Sequence, residues 1–211
     1  MVYDPNRHHR RSIRLPGYDY TSPGAYFITI CTQDRQCLFG EIADGKVVLN
    51  AAGEMVEAVW NGLPDRFPEI STDEFIVMPN HFHGIIWNVG APLVGALDPP
   101  NPEPIQTRAS RLGAAIGAFK SQTTNAYIHG VNTHGWSAFR GRLWQRNYYE
   151  RIIRNEEELQ RLRGYMAGNP GRWLRTPGGY CLPDSGFQSK TGPFRTERWF
   201  DGVVPFAGGV D

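Results

Sequence analysis

The segment from Val77 to Trp87 constrains the fold more than any other part of the chain. Two short apolar runs are joined there by Pro79-Asn80, a pair typical of turns, so a strand is expected to begin at His81. Alternate residues of a strand point to the same face, which places His81 and His83 together and Phe82 opposite. Two imidazoles held on a strand suit a divalent metal ion. The alternative is two histidines on a solvated sheet face.

Residues 155–170 predict a helix that carries further polar groups. Asn155 and Glu158 form a capping-box-like start, and apolar residues at helical spacing follow them. The helix is expected to end near Asn169, because Pro170 disfavours helical geometry in the residue before it. Tyr165 and Asn169 are four positions apart and share a face, where a phenol could be a nucleophile and an amide oxygen a third metal ligand. The alternatives are a packing tyrosine and a helix-capping asparagine.

The remaining patterns predict an α+β fold. Strands are expected at 25–32, 37–42, 46–49, 74–78, 81–87 and near 142–145, and helices at 51–63, 108–128 and 155–169. Strand, helix, strand, strand, helix, strand is the ferredoxin-like (RRM-like) order, with helices on one face of an antiparallel sheet. We expect a basic N-terminal arm at 1–20, a domain at 21–170 and a loosely structured C-terminal tail at 171–211. A proline-rich loop is expected at 91–107.

Several shorter sequence words accompany the histidine pair and the tyrosine helix. In chain order they are Arg11–Tyr20, Gly24–Thr32, Cys37–Ile42, Met78–Gly84, Leu143–Gln145, Tyr148–Glu150, Ile153-Arg154 and Tyr165–Pro170. With these words the chain resembles the HUH single-tyrosine nucleases and, among them, the REP-associated tyrosine transposases. The resemblance covers most of the chain and implies the same ferredoxin-like plan, extended by a helix that carries the nucleophile. One departure is Arg151, where many relatives have histidine, so no role is transferred to that position.

The resemblance implies a single-stranded DNA nuclease and strand transferase that acts at REP-type palindromic hairpins. Tyr165 is expected to attack a phosphodiester, giving a 5′-phosphotyrosine and a 3′-hydroxyl that can reverse the step without ATP. We expect His81, His83 and Asn169 to bind Mg²⁺ or Mn²⁺, although two histidines would equally suit Zn²⁺. Tyr148 and Tyr149 are competing nucleophiles, but neither shares a helix face with Asn169.

Two other functions fit the same sequence. One is a non-catalytic, domesticated protein that binds a DNA hairpin through a vestigial site. The other is a metal-dependent RNA-binding or RNA-cleaving module, because ferredoxin-like sheets also serve RNA binders. Formation of a covalent adduct with DNA or RNA, with and without a chelator, distinguishes the three functions.

The charge distribution favours a polyanionic partner more than the net charge of +1 does. Eight basic residues and one acid lie between positions 106 and 154, whereas eight acids and two basic residues lie between 39 and 75. The alternative is two ordinary solvated surfaces of opposite charge. The candidate DNA-binding residues are Arg10, Arg11, Arg14, Lys120, Arg140, Arg142 and Arg154.

Cysteine usage and hydropathy bear on the compartment. Cys31, Cys37 and Cys181 are odd in number and form no CxxC pair, which favours free thiols in a reducing compartment. No apolar run approaches membrane-spanning length, so a cytoplasmic protein without a membrane partner is expected. Monomer and homodimer both remain open, as does whether the tyrosine helix serves its own subunit or a partner's.

Overall fold

The structure is a computed structural model that describes residues 23–89 and 111–173. Its strands are β1 (Gly24–Cys31), β2 (Gly40–Ala43), β3 (Lys46–Leu49), β4 (Ile70–Met78), β5 (His81–Asn88) and β6 (Tyr149–Ile153). Its helices are α1 (Ala51–Asn61), α2 (Leu63–Arg66), α3 (Arg111–His134) and α4 (Glu156–Trp173), with a 3₁₀ turn at Gln33–Arg35. The basic arm, the loop at 91–107 and the tail beyond Trp173 lie outside the described residues.

Among the described residues, four strands form an antiparallel sheet in the order β4-β5-β1-β6. This order, with α1 between β1 and β4 and α3 between β5 and β6, is the predicted ferredoxin-like arrangement. The hairpin of β2 and β3 forms a separate two-stranded sheet and turns through Asp44-Gly45, both with positive φ. The α+β prediction is therefore confirmed.

The apolar core lies on one face of the sheet. There Phe82 of β5 packs between Trp60 of α1 and Phe119 of α3, with ring centroids 4.6 Å and 5.1 Å away. Gly84 follows on the same face, where an added Cβ would lie 2.6 Å from the Trp60 ring. A side chain at position 84 would displace Trp60, so the glycine is required for close helix packing. Alternation along β5 then directs His81 and His83 to the other face.

Helix α4 covers that second face. Trp173 stacks on His81 at 5.5 Å, and Tyr165 contacts both His83 and Phe27 of β1. Phe27 belongs to the strand face opposite Tyr26 and Ile28, which lie in the core. The two faces of the sheet are thus divided between an apolar core and the predicted site. None of the described helices is both long and apolar enough to span a membrane.

The strand predicted near Arg142–Gln145 is wrong. The fourth strand of the sheet is β6, and Trp144 is joined to Thr32 by an isolated bridge. Trp144 packs in the apolar core, where its indole N–H donates to the Thr123 hydroxyl at 2.8 Å. Core packing by an irregular segment therefore produced a strand-like pattern.

Several element boundaries also differ from the predictions, and among the strands β4 begins at Ile70 rather than at residue 74 and β2 at Gly40 rather than at residue 37. Helix α4 continues through Pro170 to Trp173, past the expected end at Asn169. Pro170 lies in the last turn and is buried with Trp173, so the loss of one helix hydrogen bond is offset by packing. The helix predicted at 51–63 ends at Asn61, where Gly62 separates it from α2. The described part of α3 reaches His134 rather than residue 128.

The cysteine prediction is partly wrong. Cys31 is a buried free thiol, but Cys37 is disulfide-bonded. Spacing along the chain does not report which sulfur atoms approach one another in space, so an unusual spacing did not exclude a bond. Cys181 lies outside the described residues.

Candidate metal and tyrosine site

The two histidines of β5 lie side by side on the face covered by α4. Their ring centroids are 4.7 Å apart with an angle of 74° between the planes. Both are almost fully buried, each with 2% of its surface exposed. Cys31 and Thr29 of β1 are their cross-strand partners. The alternative of two histidines on a solvated sheet face is therefore wrong.

One nitrogen of each imidazole, Nδ1, has a side-chain partner. Nδ1 of His83 lies 2.8 Å from the Thr29 hydroxyl, and Nδ1 of His81 lies 2.9 Å from Oδ1 of Asn80. Among the described residues, Nε2 of His83 is buried and has no hydrogen-bond partner. Both rings therefore keep Nε2 as the nitrogen suited to a further ligand.

Burial keeps both histidines neutral. It lowers the pKa of His83 to about 3, although a hydrogen bond to the Ile28 backbone acts in the opposite direction. The pKa of His81 is also lowered well below its usual value, first by burial and then by the charges of His83 and Arg35. A neutral imidazole has a lone pair available, which is the form that binds metal ions.

Tyr165 reaches the histidines from α4. Its ring centroid lies 5.5 Å from that of His83, and Asn169 follows on the next turn of the same helix face. Both side chains are nearly buried, with 6% and 5% exposed. Burial raises the pKa of the Tyr165 phenol, while the charge of Arg172 and a hydrogen bond with the Asn169 side chain lower it. The helix thus places an amide and a cation beside one phenol.

Arg172 lies over the ring of Tyr165, with its guanidinium carbon 5.5 Å from the ring centroid. Gly168 leaves room for this side chain, since a Cβ there would lie 2.9 Å from a guanidinium nitrogen of Arg172. Arg172 is exposed, so the cation lies between the phenol and solvent. An anion that approaches Tyr165 from solvent would meet this guanidinium first.

Side-chain bonds at two further points fix α4 on the sheet. At its start, Glu158 accepts from Arg151 at 2.7 Å and from the backbone N–H of Arg154 at 3.0 Å. In its middle, Arg163 donates two hydrogen bonds to Asp73 of β4, at 3.0 Å and 2.6 Å. The predicted cap is present, because Oδ1 of Asn155 accepts from the Glu158 N–H at 2.8 Å. Arg151 therefore anchors the helix that bears Tyr165.

The residues present fit a divalent ion. Among residues 23–89 and 111–173 no group of three or more His, Cys, Asp or Glu residues could hold a metal. Two neutral imidazoles and the amide oxygen of Asn169 would give a mixed nitrogen and oxygen set, which suits Mn²⁺ or Zn²⁺ better than Mg²⁺. The buried Nε2 of His83, with no partner of its own, supports this fit.

The two competing tyrosines lie elsewhere. Tyr149 of β6 pairs with Thr29 of β1, which in turn pairs with His83 of β5. Two strand spacings, roughly 10 Å, therefore separate the backbones of Tyr149 and His83. Tyr148 packs against the apolar core on the opposite face. The ring of Tyr165 contacts His83 of the pair.

The candidate DNA-binding residues have different surroundings. Lys120 is half-buried and donates to the backbone oxygens of Gln145 and Arg146 at 2.6 Å and 3.1 Å. Burial, followed by the charge of Arg142, lowers the pKa of Lys120 to about 8. Its first role is therefore to hold the segment before β6. Arg140, Arg142 and Arg154 are exposed, and Arg10, Arg11 and Arg14 lie outside the described residues.

Sequence patterns missed three residues around the histidines. Thr29 could have been found, because alternation along β1 places it on the face of Phe27. Asn80 was recognised as a turn residue but not as the partner of His81. Arg35 gave no signal: it follows Asp34 in a short loop in which both residues have positive φ, and its charge acts on His81.

The fold and this site define an α+β protein with a ferredoxin-like sheet and a histidine-pair and tyrosine site beneath an added helix. No protein-family model matches the chain. A Haemophilus influenzae protein described as uncharacterized is 37% identical over 183 residues, covering 81% of this chain and 93% of the relative. The chain belongs to the family of that protein.

One solved structure that is similar to this chain is a REP-associated tyrosine transposase bound to a REP hairpin. The similarity has a TM-score of 0.42 and 16% sequence identity, and covers 82% of this chain and 93% of the other.

Proposed function

We propose that this protein is a metal-dependent, transposase-like enzyme that cleaves and rejoins single-stranded DNA at REP-type hairpins. The observation that carries the proposal is the convergence of His81, His83, Tyr165 and Asn169. More than eighty positions separate the two histidines from Tyr165 and Asn169, and α4 covers the sheet face that carries the histidines. A strand His-hydrophobe-His with a helix tyrosine and asparagine is the pattern on which the resemblance to HUH nucleases rests.

The chain supplies ligands, a nucleophile and cations for this reaction. His81 and His83, through Nε2, and Asn169, through its amide oxygen, would hold the divalent ion. When bound, the ion supplies positive charge that offsets the charge of a phosphate oxygen. The buried, hydrogen-bonded histidines keep the ligand geometry rigid before any metal enters.

Tyr165 would form the covalent bond. Its phenol oxygen attacks phosphorus and loses its proton to solvent, while the bond from phosphorus to the 3′-oxygen breaks. The 3′-oxygen takes up a proton, and the 5′ end remains as a phosphotyrosine. One phosphoester bond forms as another breaks, so a 3′-hydroxyl can reverse the step and rejoin strands. Arg172 and Asn169 favour the ionised phenol against the opposing effect of burial.

Basic residues around the site would bind phosphates. Arg172 lies at Tyr165, and the charge of Arg35 acts on His81 at the other end of the site. Exposed Arg140, Arg142 and Arg154 would contact flanking DNA, together with Arg10, Arg11 and Arg14 of the arm. Lys120, with two of its three N–H groups on backbone oxygens, has one left for a phosphate.

One observation favours a second candidate function. The two histidines, Tyr165 and Asn169 are 2–6% exposed, so a phosphate reaches them only after covering residues move. A protein that binds DNA hairpins without cleaving them would not need that movement. The domesticated hairpin-binding protein is therefore the second candidate.

A covalent-adduct experiment separates the candidates. Labelled hairpin DNA with a single-stranded flank, and RNA of the same sequence, are incubated with the protein in Mn²⁺ or EDTA and resolved under denaturing conditions. We expect a DNA adduct with the wild type in Mn²⁺, and none with Tyr165→Phe or in EDTA. Tyr149→Phe is the matched control and should form the adduct.

Three results would contradict the proposal. An adduct with Tyr165→Phe would assign another nucleophile. If the wild type and every variant bind the hairpin but none of them forms an adduct, the result would favour the non-catalytic protein. An adduct or cleavage with RNA alone would favour the RNA module.

A further inference from the structure

Asn80 lies between the histidine pair and the loop of residues 32–36. It is 3% exposed, and its backbone oxygen accepts from both the N–H and the hydroxyl of Thr32, at 3.0 Å and 2.9 Å. Its neighbour Pro79 accepts from the N–H groups of Leu38 and Phe39. The turn backbone is thus fixed by the loop, and the side chain of Asn80 is held where it meets His81.

The two ends of the Asn80 amide have different partners. Nδ2 donates to the backbone oxygen of Arg35 at 3.2 Å, and Oδ1 lies 2.9 Å from Nδ1 of His81. The Arg35 oxygen can only accept, so it selects the amide orientation that turns Oδ1 toward the histidine. Oδ1 also only accepts, so Nδ1 of His81 must carry the proton. In a neutral ring the lone pair is then on Nε2.

His83 is held by a different pair of groups. Its Nδ1 contacts the Thr29 hydroxyl, which can donate or accept, and the ring also hydrogen-bonds to the backbone of Ile28. The Asn80 side chain therefore fixes which nitrogen of His81 carries the proton.

We propose that Asn80 is a positioning residue that holds His81 in the Nδ1-protonated form and directs Nε2 into the site. The proposal rests on the proposed function, because it concerns how this chain prepares a metal ligand. Asn80 does not touch the reacting atoms. Through Arg35 it also links the histidine to the loop that carries a cation beside the site.

The test reads the tautomer directly. Ring ¹⁵N chemical shifts of His81 are measured in the metal-free protein, and Mn²⁺ affinity is measured by titration calorimetry. Asn80→Leu keeps the approximate size and removes both hydrogen bonds. We expect a mixture of His81 tautomers and roughly 10- to 100-fold weaker Mn²⁺ binding, the usual effect of losing an outer partner of a metal-binding histidine. Asn80→Asp keeps the accepting oxygen and should retain the Nδ1-protonated form.

The matched control is Asn50→Leu. Asn50 also accepts from an N–H and donates to a carbonyl, but at the start of α1. Its loss should lower thermal stability and leave the His81 shifts and Mn²⁺ affinity unchanged. If Asn80→Leu does not fold, Asn80→Ala is measured in its place.

Two outcomes would overturn the role of Asn80. One is a single Nδ1-protonated His81 with wild-type Mn²⁺ affinity in Asn80→Leu or Asn80→Ala. The other is loss of that tautomer in Asn80→Asp. If the wild type itself binds no Mn²⁺, the proposed function fails, while the metal-free shifts still decide the role of Asn80.

Discussion

At the scale of single residues, the loop beside the histidines holds an uncommon backbone conformation. Asp34 and Arg35 have φ values of 53° and 55°, in the left-handed region. This left-handed conformation costs a residue other than glycine about 1–2 kcal/mol of stability. Thr32 and Asn80 hold the loop in this form. The Thr32 hydroxyl donates to the backbone oxygen of Gln36 and the Asn80 amide donates to that of Arg35. Thr32 also donates two hydrogen bonds to the backbone oxygen of Asn80. Strain of this kind is common where a side chain must be held at a functional site.

Arg35→Gly should separate stability from DNA binding. Glycine relieves the left-handed strain but makes the unfolded chain more flexible, so we expect the free energy of unfolding to change by less than about 1 kcal/mol. Hairpin affinity should fall by roughly tenfold or more, because a hydrogen bond to a charged group contributes about 1.5–3 kcal/mol. Chemical denaturation and fluorescence anisotropy measure the two effects.

Asp34→Gly is the matched control for Arg35→Gly. It changes a residue of nearly the same φ that is exposed and negatively charged. Its stability should change in a similar way, without loss of hairpin affinity. Wild-type affinity in Arg35→Gly would contradict a phosphate contact at this position.

Residue spacing predicted the groups that regular structure brings together. Two-residue spacing placed His81 beside His83, and four-residue spacing placed Tyr165 beside Asn169. The partner of His81 could not be predicted in this way. Asn80 and Arg35 meet through an irregular loop whose conformation depends on hydrogen bonds between distant segments.

At the scale of elements, α4 determines where Tyr165 lies. The helix is fixed by Arg151 and Glu158 at its start, by Asp73 and Arg163 in its middle, and by Trp173 on His81 at its end. Asp73 also accepts from the Trp87 indole at 3.0 Å, so β4, β5 and α4 share one carboxylate. Tyr165 is two residues from Arg163, and its position therefore depends on this contact.

The contact between Asp73 and Arg163 makes α4 sensitive to acid. Hydrogen bonds from Arg163, the Glu74 N–H and Trp87 outweigh burial and lower the pKa of Asp73 from 3.8 to about 2. A carboxylate whose pKa is lower in the folded protein stabilises the fold at pH values above the pKa that it has in the unfolded chain. That stability is present above about pH 4 and is lost as the pH falls toward 2.

Asp73→Asn should therefore lower the free energy of unfolding at pH 7 and reduce its fall between pH 4 and pH 2. Urea denaturation at pH 7, 4 and 2.5 measures this, with Glu41→Gln on exposed β2 as the control. An acid response in Asp73→Asn as steep as that of the wild type would contradict the role of Asp73.

Element prediction failed where packing outweighs local preference. The sequence of β6, Tyr149–Ile153, lacks the alternation of a half-buried strand, while Trp144 and its neighbours imitate one because they fill the core. Pro170 predicted a helix end, but a buried proline in the last turn of α4 is tolerated. Elements with strong periodicity, such as β1 and β5, were predicted nearly to the residue.

At the scale of the whole molecule, the two faces of one sheet have different roles. Aromatic packing of β1 and β5 against α1 and α3 provides a rigid support, and the opposite face carries the histidines. Helix α4 brings Tyr165 to that face, where its ring contacts His83. Pairing of β1 with both β5 and β6 places the histidines in the same sheet as the strand that leads into α4.

Anomalous diffraction from crystals soaked with Mn²⁺ tests this convergence most directly. The account predicts one strong peak within bonding distance, roughly 2.0–2.3 Å, of Nε2 of His81, Nε2 of His83 and the Asn169 amide oxygen, with the Tyr165 hydroxyl facing the ion. A peak at another site, or a peak at the histidines with the Tyr165 hydroxyl directed away from it, would contradict the account.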